Sequence, residues 1–389
     1  MQNQIFYLDH NATTPIHPQV VAAMANSMVN LSANPSSTHT LGRKSRLAIE
    51  EAREAIAEFI QAPAREIIFT SGGTESDNMA ILGHNWQKGD ELITSLIEHP
   101  AIDSCFEVLE QLGVVIHFVK LNISGVVDFE DFKSLLSSKT KVISLIWAHN
   151  ETGLIQDIPK IAAYLKEKSL DKQIFFHSDA VQALSRSSQV QVIDGLSALS
   201  LSSHKINGPK GLGALWVKGG REIVERQFGG NQEREMRPGT ENLHSIIGMA
   251  EAVKLWSING DVWRNSMAYL RDEFELQIVI AIPGVMIHAQ DENRLVNTSL
   301  IAFPGFEADM LLLGLDMAGI QVSAGSACAA GAVKASRVVR NLGFDDSISK
   351  STLRFSFGAP IDGFKMTKED VSLVVSKVQN LIDIGGGIK

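Results

Sequence analysis

Lys205 stands in the segment Ser202 to Gly211, which directly follows the apolar run Leu196 to Leu201. A lysine between a buried strand and a turn of glycine and proline can be partly desolvated. Desolvation lowers the pKa of its side chain and makes the neutral amine a nucleophile. Such an amine can form a Schiff base with an aldehyde cofactor, pyridoxal phosphate (PLP). The lysine alone carries little weight, so this interpretation depends on the other groups that a PLP site needs.

A glycine-containing segment, Ser71 to Ser76, follows one predicted strand and opens a predicted helix. Its glycines let the backbone approach an anion, and the helix N-terminus offers free N–H groups to a phosphate. Gly73 and Thr74 are the candidate phosphate ligands. An N-capping turn is the alternative, because Thr74 or Ser76 would cap any helix.

Asp179 and Gln182 follow the predicted strand at 173–177. A carboxylate in this place can keep a pyridine nitrogen protonated, and the protonated ring then acts as an electron sink. The alternative is that Asp179 caps the next helix. An aspartate at one strand end and Lys205 after the next strand can flank one ring, and this spacing favours the cofactor.

Three further side chains could complete such a site. His99, in a strand-to-helix turn, could stack on a flat cofactor and move protons near neutral pH, although a turn histidine can also be merely solvated. Asn150 follows a strand and could donate a hydrogen bond to a carboxylate or a phenolate. Arg354 lies in an apolar strand, where its guanidinium needs an anion, either a substrate carboxylate or a structural ion-pair partner.

The two cysteines differ in their surroundings. Cys105 shares a helical face with Ile102 and Leu109, which predicts a buried and inert thiol. Cys328 lies in Ser323 to Gly331, a segment without bulky side chains that could move and present its thiol for reaction. A tight packing turn is the alternative for this segment.

These residues must be positioned by an alternation of strands and helices. The predicted strands lie at 66–70, 91–95, 114–119, 141–147, 173–177, 196–201 and 213–217, and the helices between them at 75–84, 100–112 and 159–168. This rhythm is typical of an α/β fold with a mostly parallel sheet, which binds ligands at the carboxyl ends of its strands. Helices at 241–258 and 262–281 follow, with a break at Asn259-Gly260, and then a smaller α+β part. We therefore expect a large domain at residues 15–260 and a small domain formed by 1–14 and 261–389.

The bulk composition argues against several classes of protein. The chain has 389 residues, 44% of them hydrophobic, a net charge of -9 and no long basic cluster, which disfavours nucleic acid or an anionic membrane as a partner. No apolar run approaches the ~18 residues of a membrane span, and the N-terminus lacks the features of a signal peptide. With only two cysteines, the protein is expected in the cytoplasm with reduced thiols. No Cys and His residues stand at metal-ligand spacing, so no metal site is predicted.

Together the motifs resemble those of PLP-dependent cysteine desulfurases, the enzymes that feed iron–sulfur cluster assembly and nitrogenase maturation. The resemblance runs nearly end to end, through Tyr7 to Pro15, Asn34 to Ser37, Ser71 to Glu75, Glu98-His99, Asn150 to Gly153, Asp179 to Gln182, His204-Lys205, Arg237 to Asn242, Ser323 to Cys328 and Arg354 to Ser356. It implies fold type I of the class V aminotransferase superfamily, with a large domain built on a mostly parallel sheet and a smaller α+β C-terminal domain. The segment that ends at Cys328 is the part that points to desulfuration.

The resemblance also implies a role for each candidate residue. Lys205 would form the Schiff base and then move the α-proton, His99 would stack on the ring, and Cys328 would take the sulfur of L-cysteine as a persulfide. The PLP ligands would be Gly73, Thr74, His99, Asn150, Asp179, Gln182, Ser202, His204 and Lys205, with Thr240 reaching the phosphate from the second subunit of a homodimer. Asn150 and Arg354 would hold the substrate carboxylate, with Asn34 nearby. L-Alanine would leave, and the sulfur would pass to an acceptor such as an iron–sulfur scaffold protein.

Two departures from the family pattern concern the cysteine segment. Val333 to Ser336 stands where Leu-Glu-Pro-Ser is frequent, and Ser323-Ala324 stands where Ser-Ser is common. Neither removes a catalytic group, but both affect how the segment is anchored and which acceptor it meets. The alternative functions are a selenocysteine lyase or cysteine C–S lyase of the same superfamily, and a non-catalytic PLP-fold scaffold. Intact Lys205, Asp179 and His99 count against the scaffold.

Overall fold

The computed structural model describes residues 4–188, 190–221, 223–325 and 337–386. The strands are β1 (Phe6–Tyr7), β2 (Ile67–Thr70), β3 (Glu91–Ser95), β4 (Val115–Val119), β5 (Thr140–Ser144), β6 (Phe175–Asp179), β7 (Ala198–Ser202), β8 (Gly213–Val217), β9 (Met286–Ile287), β10 (Thr298–Ala302), β11 (Ile320–Gln321) and β12 (Thr352–Ser356). The helices are α1 (Pro18–Asn30), α2 (Thr40–Phe59), α3 (Gly73–Leu82), α4 (Pro100–Asp103), α5 (Phe106–Gln111), α6 (Phe129–Leu135), α7 (Ile158–Glu167), α8 (Ala183–Arg186), α9 (Leu243–Ala281), α10 (Ala308–Met317), α11 (Arg337–Asn341), α12 (Asp346–Lys350) and α13 (Lys368–Gly386). No helix in these described ranges combines the length and the apolar character needed to cross a membrane.

Seven strands form the central sheet, in the order β2-β8-β7-β6-β5-β3-β4. β8 runs antiparallel to both of its neighbours, whereas the pairs from β7 to β4 are all parallel. Successive residues of β2 enter different apolar clusters, since Ile67 and Phe69 belong to one and Ile68 to the other. Both faces of the sheet are therefore covered, as a parallel sheet requires. The predicted α/β class with a mostly parallel sheet is confirmed.

A second sheet, β12-β10-β9, is antiparallel and belongs to the C-terminal part of the chain. β1 pairs in parallel with β11, so that Phe6 lies opposite Ile320. The largest apolar cluster includes residues from both predicted domains, among them Ile49, Phe274 and Val378. The division of the chain into two domains stays a prediction.

The helix predictions need two corrections. α9 is a single helix of 39 residues, so the predicted break at Asn259-Gly260 is wrong. Its inner face stays apolar across this point, where Trp256 and Trp263 are both buried and in edge-to-face contact. Such packing outweighs the ~1 kcal/mol that a glycine costs inside a helix. The helix predicted at 100–112 is divided into α4 and α5, because the N–H of Cys105 bonds to the carbonyl of Ile102 in a tighter turn.

Candidate active site

Two adjoining cavities, of about 180 Å³ and 380 Å³, lie where the parallel strands β6 and β7 end. The first is lined by most of the predicted site residues, namely Gly73, Thr74, His99, Asn150, Asp179, Gln182, Ser202, His204, Lys205 and Arg354. The second cavity shares Gly73, Thr74, Ser202 and His204 with the first. Side chains that the sequence separates by as much as 281 positions therefore meet at one edge of the sheet, because the carboxyl ends of parallel strands share that edge.

Two predicted site residues, Asn34 and Thr240, line neither cavity. Asn34 is exposed, and its side-chain oxygen accepts the N–H of Ser36 at 2.8 Å. Thr240 is exposed as well. Cys328 lies outside the described residues. The roles of these three residues stay predictions.

Asp179 is the last residue of β6, and its side chain is buried at the first cavity. One carboxylate oxygen accepts the N–H of Val181 at 2.8 Å. Burial raises the pKa of this carboxyl, and the nearby His99 and Lys205 act in the opposite direction. A cationic ring nitrogen in the cavity would offset the burial of the carboxylate.

Asp77, on α3, forms a cluster with Asp179 and His99 in which the ligating atoms all lie within 4.8 Å of one another. Burial and the charge of Asp179 raise the pKa of the Asp77 carboxyl well above its usual range. Beneath it, the buried His177 lies 3.6 Å away, and burial lowers the pKa of that imidazole to about 3. The neutral His177 therefore adds no positive charge beneath the cluster. The cluster can accommodate one cationic group of a ligand.

His99 is fixed by the backbone next to it. It is the residue before α4, and its Nδ1 accepts the N–H of Ala101 at 3.1 Å. Because Nδ1 accepts, a neutral ring carries its proton on Nε2, the nitrogen on the other side of the ring. The imidazole thus has a defined orientation at the wall of the first cavity.

Lys205 is partly buried, and its Nζ donates to the carbonyls of Asn11 and Ala12 at 2.7 and 2.6 Å. The same Asn11 carbonyl accepts a bond from Gln182 Nε2 at 2.9 Å. The other end of the Gln182 amide accepts a bond from the buried guanidinium of Arg186. These contacts hold the amine and the amide on one side of the cavity.

The second cavity lies at the N-terminus of α3, where no side chain caps the first turn. The predicted alternative of an N-capping turn is therefore wrong. Open N–H groups and the helix dipole favour a phosphate at this end. The close packing here requires a glycine at position 73, since a Cβ there would come within 2.8 Å of Val181 Cγ2. His204 lines the same cavity, and burial lowers the pKa of its imidazole to about 3, so the ring is neutral.

Arg354 is fully buried. The sequence left two roles open for it, a structural ion pair and a ligand of the substrate carboxylate, and its surroundings suit both. Its guanidinium pairs with Asp9 at 2.6 Å and donates to the carbonyl of Asn150 at 3.0 Å. Its Nε is buried without a hydrogen-bond partner among the described residues. A structural ion pair thus satisfies part of the cation, and the same side chain lines the first cavity.

The arrangement fits the polar parts of PLP. The uncapped end of α3 suits a phosphate, the buried Asp179 suits a ring nitrogen, and the amine of Lys205 suits the aldehyde. The residues that would hold the cofactor are those that line the two cavities.

Sequence reasoning missed several residues of this site. Asn11 and Arg186 act through hydrogen bonds to distant segments, which no local pattern indicates. Asp77 stands one helical turn after Gly73 on α3, and this spacing from the phosphate segment was an available signal.

Comparisons with known proteins agree with the geometry. The aminotransferase class-V family matches this chain over residues 6–374. Cysteine desulfurase IscS of Dictyoglomus turgidum is 39% identical over 381 residues, which cover 97% of this chain and 94% of that protein. Among solved structures, a NifS-like protein has a TM-score of 0.88 at 28% identity and covers 98% of this chain and 100% of its own. SspA, solved in complex with cysteine, has a TM-score of 0.78 at 30% identity, with 93% and 100% covered.

The chain therefore belongs to the aminotransferase class V family, whose members are PLP enzymes of fold type I. Within this family it is similar to the cysteine desulfurases, which confirms the resemblance seen in the motifs.

Proposed function

We propose that this protein is a PLP-dependent cysteine desulfurase, which converts L-cysteine to L-alanine and keeps the sulfur as a persulfide on Cys328. The observation that carries the proposal is the meeting of Lys205, Asp179 and Arg354 at one cavity. Lys205 supplies an amine for the cofactor aldehyde, Asp179 a carboxylate for the ring nitrogen, and Arg354 a cation for the substrate carboxylate. The similarity to cysteine desulfurases supports the same reaction.

PLP, when bound, supplies an electron sink for the electrons released at the substrate. Asp179 would keep the ring nitrogen protonated, and the uncapped N-terminus of α3 would hold the phosphate. Arg354 and Asn150 orient the substrate carboxylate. The amine of Lys205 then takes the α-proton and returns a proton to the product. The Cys328 thiolate attacks the substrate sulfur, so that an S–S bond forms as the C–S bond breaks.

We also propose a cytoplasmic homodimer that delivers the sulfur to an acceptor protein, for example an iron–sulfur scaffold. The exposed Thr240 supports the dimer, since a residue in such a position can reach a neighbouring subunit. The similarity to cysteine desulfurases supports the acceptor.

The two cysteines of the chain allow a matched test. We expect the Cys328→Ser variant to retain bound PLP but to lose persulfide formation, whereas Cys105→Ala should keep both. Cys105 is buried, and burial raises the pKa of its thiol to about 12, so it supplies no thiolate. Mass spectrometry after addition of L-cysteine, with and without alkylation, locates the added sulfur.

Lys205→Ala should lower alanine production about a thousandfold or more.

Two results would contradict the proposal. Full cysteine turnover in Cys328→Ser without a stored persulfide would assign the protein to the selenocysteine or cysteine C–S lyases. Colourless protein that takes up no PLP, and in which borohydride fixes nothing to Lys205, would favour a non-catalytic scaffold.

A further inference from the structure

The outer face of α9 carries a row of exposed apolar side chains. Ile258, Val262, Tyr269, Leu276 and Ile280 are between 53 and 78% exposed, although the opposite face of the helix is buried in the core. None of the five lines the two cavities of the candidate active site. The proposed desulfurase reaction therefore does not account for this row.

The five side chains form one straight seam. Each residue of an α-helix turns by about 100°, so the other four lie within about 20° of Tyr269 around the helix axis. The seam runs for about 33 Å along the helix. Exposed apolar side chains aligned along one face of a helix can mark an interaction surface.

The order of the side chains in the seam is palindromic. Val262 and Leu276 stand seven residues before and after Tyr269, and Ile258 and Ile280 stand eleven residues before and after it. Two copies of α9 that cross antiparallel on a two-fold axis at Tyr269 would therefore place an apolar residue against an apolar residue in every layer. This self-complementarity is what an isologous interface requires.

The polar side chains beside the seam are also arranged symmetrically in the sequence about Tyr269. Asn265 and Glu273 stand four residues on either side of Tyr269, so the amide of one copy faces the carboxylate of the other, twice. Glu273 is held in its charged form by Gln277, at 2.7 Å, and Lys368, at 3.2 Å, which lower its pKa. Ser266 and Asp272 form the next mirrored pair, three residues from the centre, so like charges do not face each other in these two layers.

We propose that the outer face of α9 binds the same face of a second copy of this chain, antiparallel, with Tyr269 on the two-fold axis. A foreign helix could cover the apolar seam, but it would not require a palindrome. The contact does not involve the active site, so it adds to the proposed homodimer and would join dimers into a larger assembly. Because one helix pair buries less than the ~800 Å² per partner of a standard interface, we expect the association to depend on concentration.

Sedimentation equilibrium of the holoenzyme over a range of concentrations tests the contact. Tyr269→Arg sets two like charges against each other on the axis, and it should reduce the mass at high concentration to that of the dimer. Met317→Arg is the matched control, because Met317 is 74% exposed on α10 and should leave the mass unchanged. Cysteine turnover should stay the same in both variants, which separates this proposal from the proposed function. Equal masses for wild type and Tyr269→Arg at every concentration would overturn it.

A pair of oppositely charged substitutions tests whether the partner on this face is a second copy of the chain. Val262→Glu should reduce the mass as Tyr269→Arg does, and adding Leu276→Lys should restore it, because the new glutamate then faces the new lysine in both symmetric layers. If the double variant stays at the lower mass, the occupant is not a second antiparallel copy.

Cross-linking tests the direction of the pair in a Cys328→Ser background. Tyr269→Cys should form a disulfide-linked pair under mild oxidation. Ile258→Cys should cross-link with Ile280→Cys in a mixture but not with itself, since its two copies lie far apart in the antiparallel pair. Self-cross-linking of Ile258→Cys would indicate a parallel pair and contradict the proposal.

Discussion

At the scale of single residues, burial moves the ionisable groups around the cavity toward their neutral forms. It raises the pKa values of Asp77, Glu98 and Asp179 and lowers those of His10, His177 and His204. Shifts of this kind, clustered in a cleft, are characteristic of functional sites.

Arg186 is a positioning residue in this view. Its guanidinium is buried and donates to Gln182, to the carbonyl of His10 at 2.8 Å and to the carbonyl of Lys205 at 3.3 Å. Arg186→Met should lower kcat/KM for L-cysteine about tenfold to a hundredfold and shift the pH titration of the bound-PLP absorbance, because the amide of Gln182 loses its anchor. Arg186→Lys should retain more of both properties. A Met variant whose absorbance titrates as the wild type does would refute this role.

Glu98 predicts a pH dependence of stability. Burial raises the pKa of its carboxyl to about 8, while Ser95 and the N–H of Ile146 donate to it at 2.5 and 3.1 Å. The folded protein then holds a proton that the unfolded chain releases above about pH 4.5. The contribution of Glu98 to stability is present below that pH and is lost as the pH rises toward 8.

Replacement by glutamine removes this titration. We expect the free energy of unfolding of the wild type to fall relative to Glu98→Gln by up to about 1.4 kcal/mol per pH unit within that window. Urea unfolding at a series of pH values measures the difference. A difference that stays constant with pH would show that Glu98 ionises normally in the folded protein.

At the scale of elements, helix ends and helix continuity decide how the site is built. α3 begins without a side-chain cap and so leaves its N-terminus open to an anion. α9 continues through Gly260, because its buried inner face connects the residues before and after that point. Both features depend on what packs against the helix.

Two glycines of α9 give a matched test of its continuity. A Cβ at Gly260 would meet only the end of the Arg264 side chain, at 3.0 Å, whereas a Cβ at Gly248 would meet Met24 Sδ at 2.7 Å and Pro209 Cδ at 3.1 Å. Gly260→Ala should raise the free energy of unfolding by about 0.5–1 kcal/mol, because alanine favours a helix interior. Gly248→Ala should lower it. Urea denaturation decides, and destabilisation by Gly260→Ala would indicate that the helix does not continue there.

At the scale of the whole molecule, the N-terminal segment joins the two sheets at the cavity. The carbonyl of Leu8 accepts the N–H of Ser356 in β12 at 2.7 Å, and a few residues later the hydroxyl of Thr14 donates to the carbonyl of His204, just after β7, at 2.9 Å. Between them Asn11 lies buried beside the amine of Lys205. We propose that this segment belongs with the C-terminal part of the chain and sets its position against the central sheet.

Asn11 is the residue to change. Its Nδ2 donates to the carbonyl of Asn150 at 3.1 Å and to Thr298 Oγ1 at 2.9 Å, and its Oδ1 accepts from Asn297 at 3.0 Å. Asn11→Ala removes three side-chain hydrogen bonds at once and should lower the free energy of unfolding by about 2–4 kcal/mol, at ~1 kcal/mol for each bond. Asn341→Ala, which removes one exposed bond to Leu96, is the control and should cost about 1 kcal/mol or less. Equal losses in the two variants would contradict the special place of Asn11.

The sequence by itself determined the fold class and the chemistry of most cavity residues. Strand periodicity and the polar residues that follow each strand are local signals, and Lys205 and Asp179 could be recognised from them because parallel strands bring their carboxyl ends together. The motifs near Cys328 identified the family, but no local signal places that residue relative to the cavity.

Only the tertiary structure decided which helices continue and which side chains share a hydrogen-bond partner. α1 and α2 went unassigned in the sequence, and α9 was divided at Gly260, because packing against other helices outweighs weak local preferences. Asn11, Asp77 and Arg186 reach the site through contacts that depend on burial and on distant segments. Such contacts exist only once the chain has folded, since burial and proximity are properties of the whole molecule.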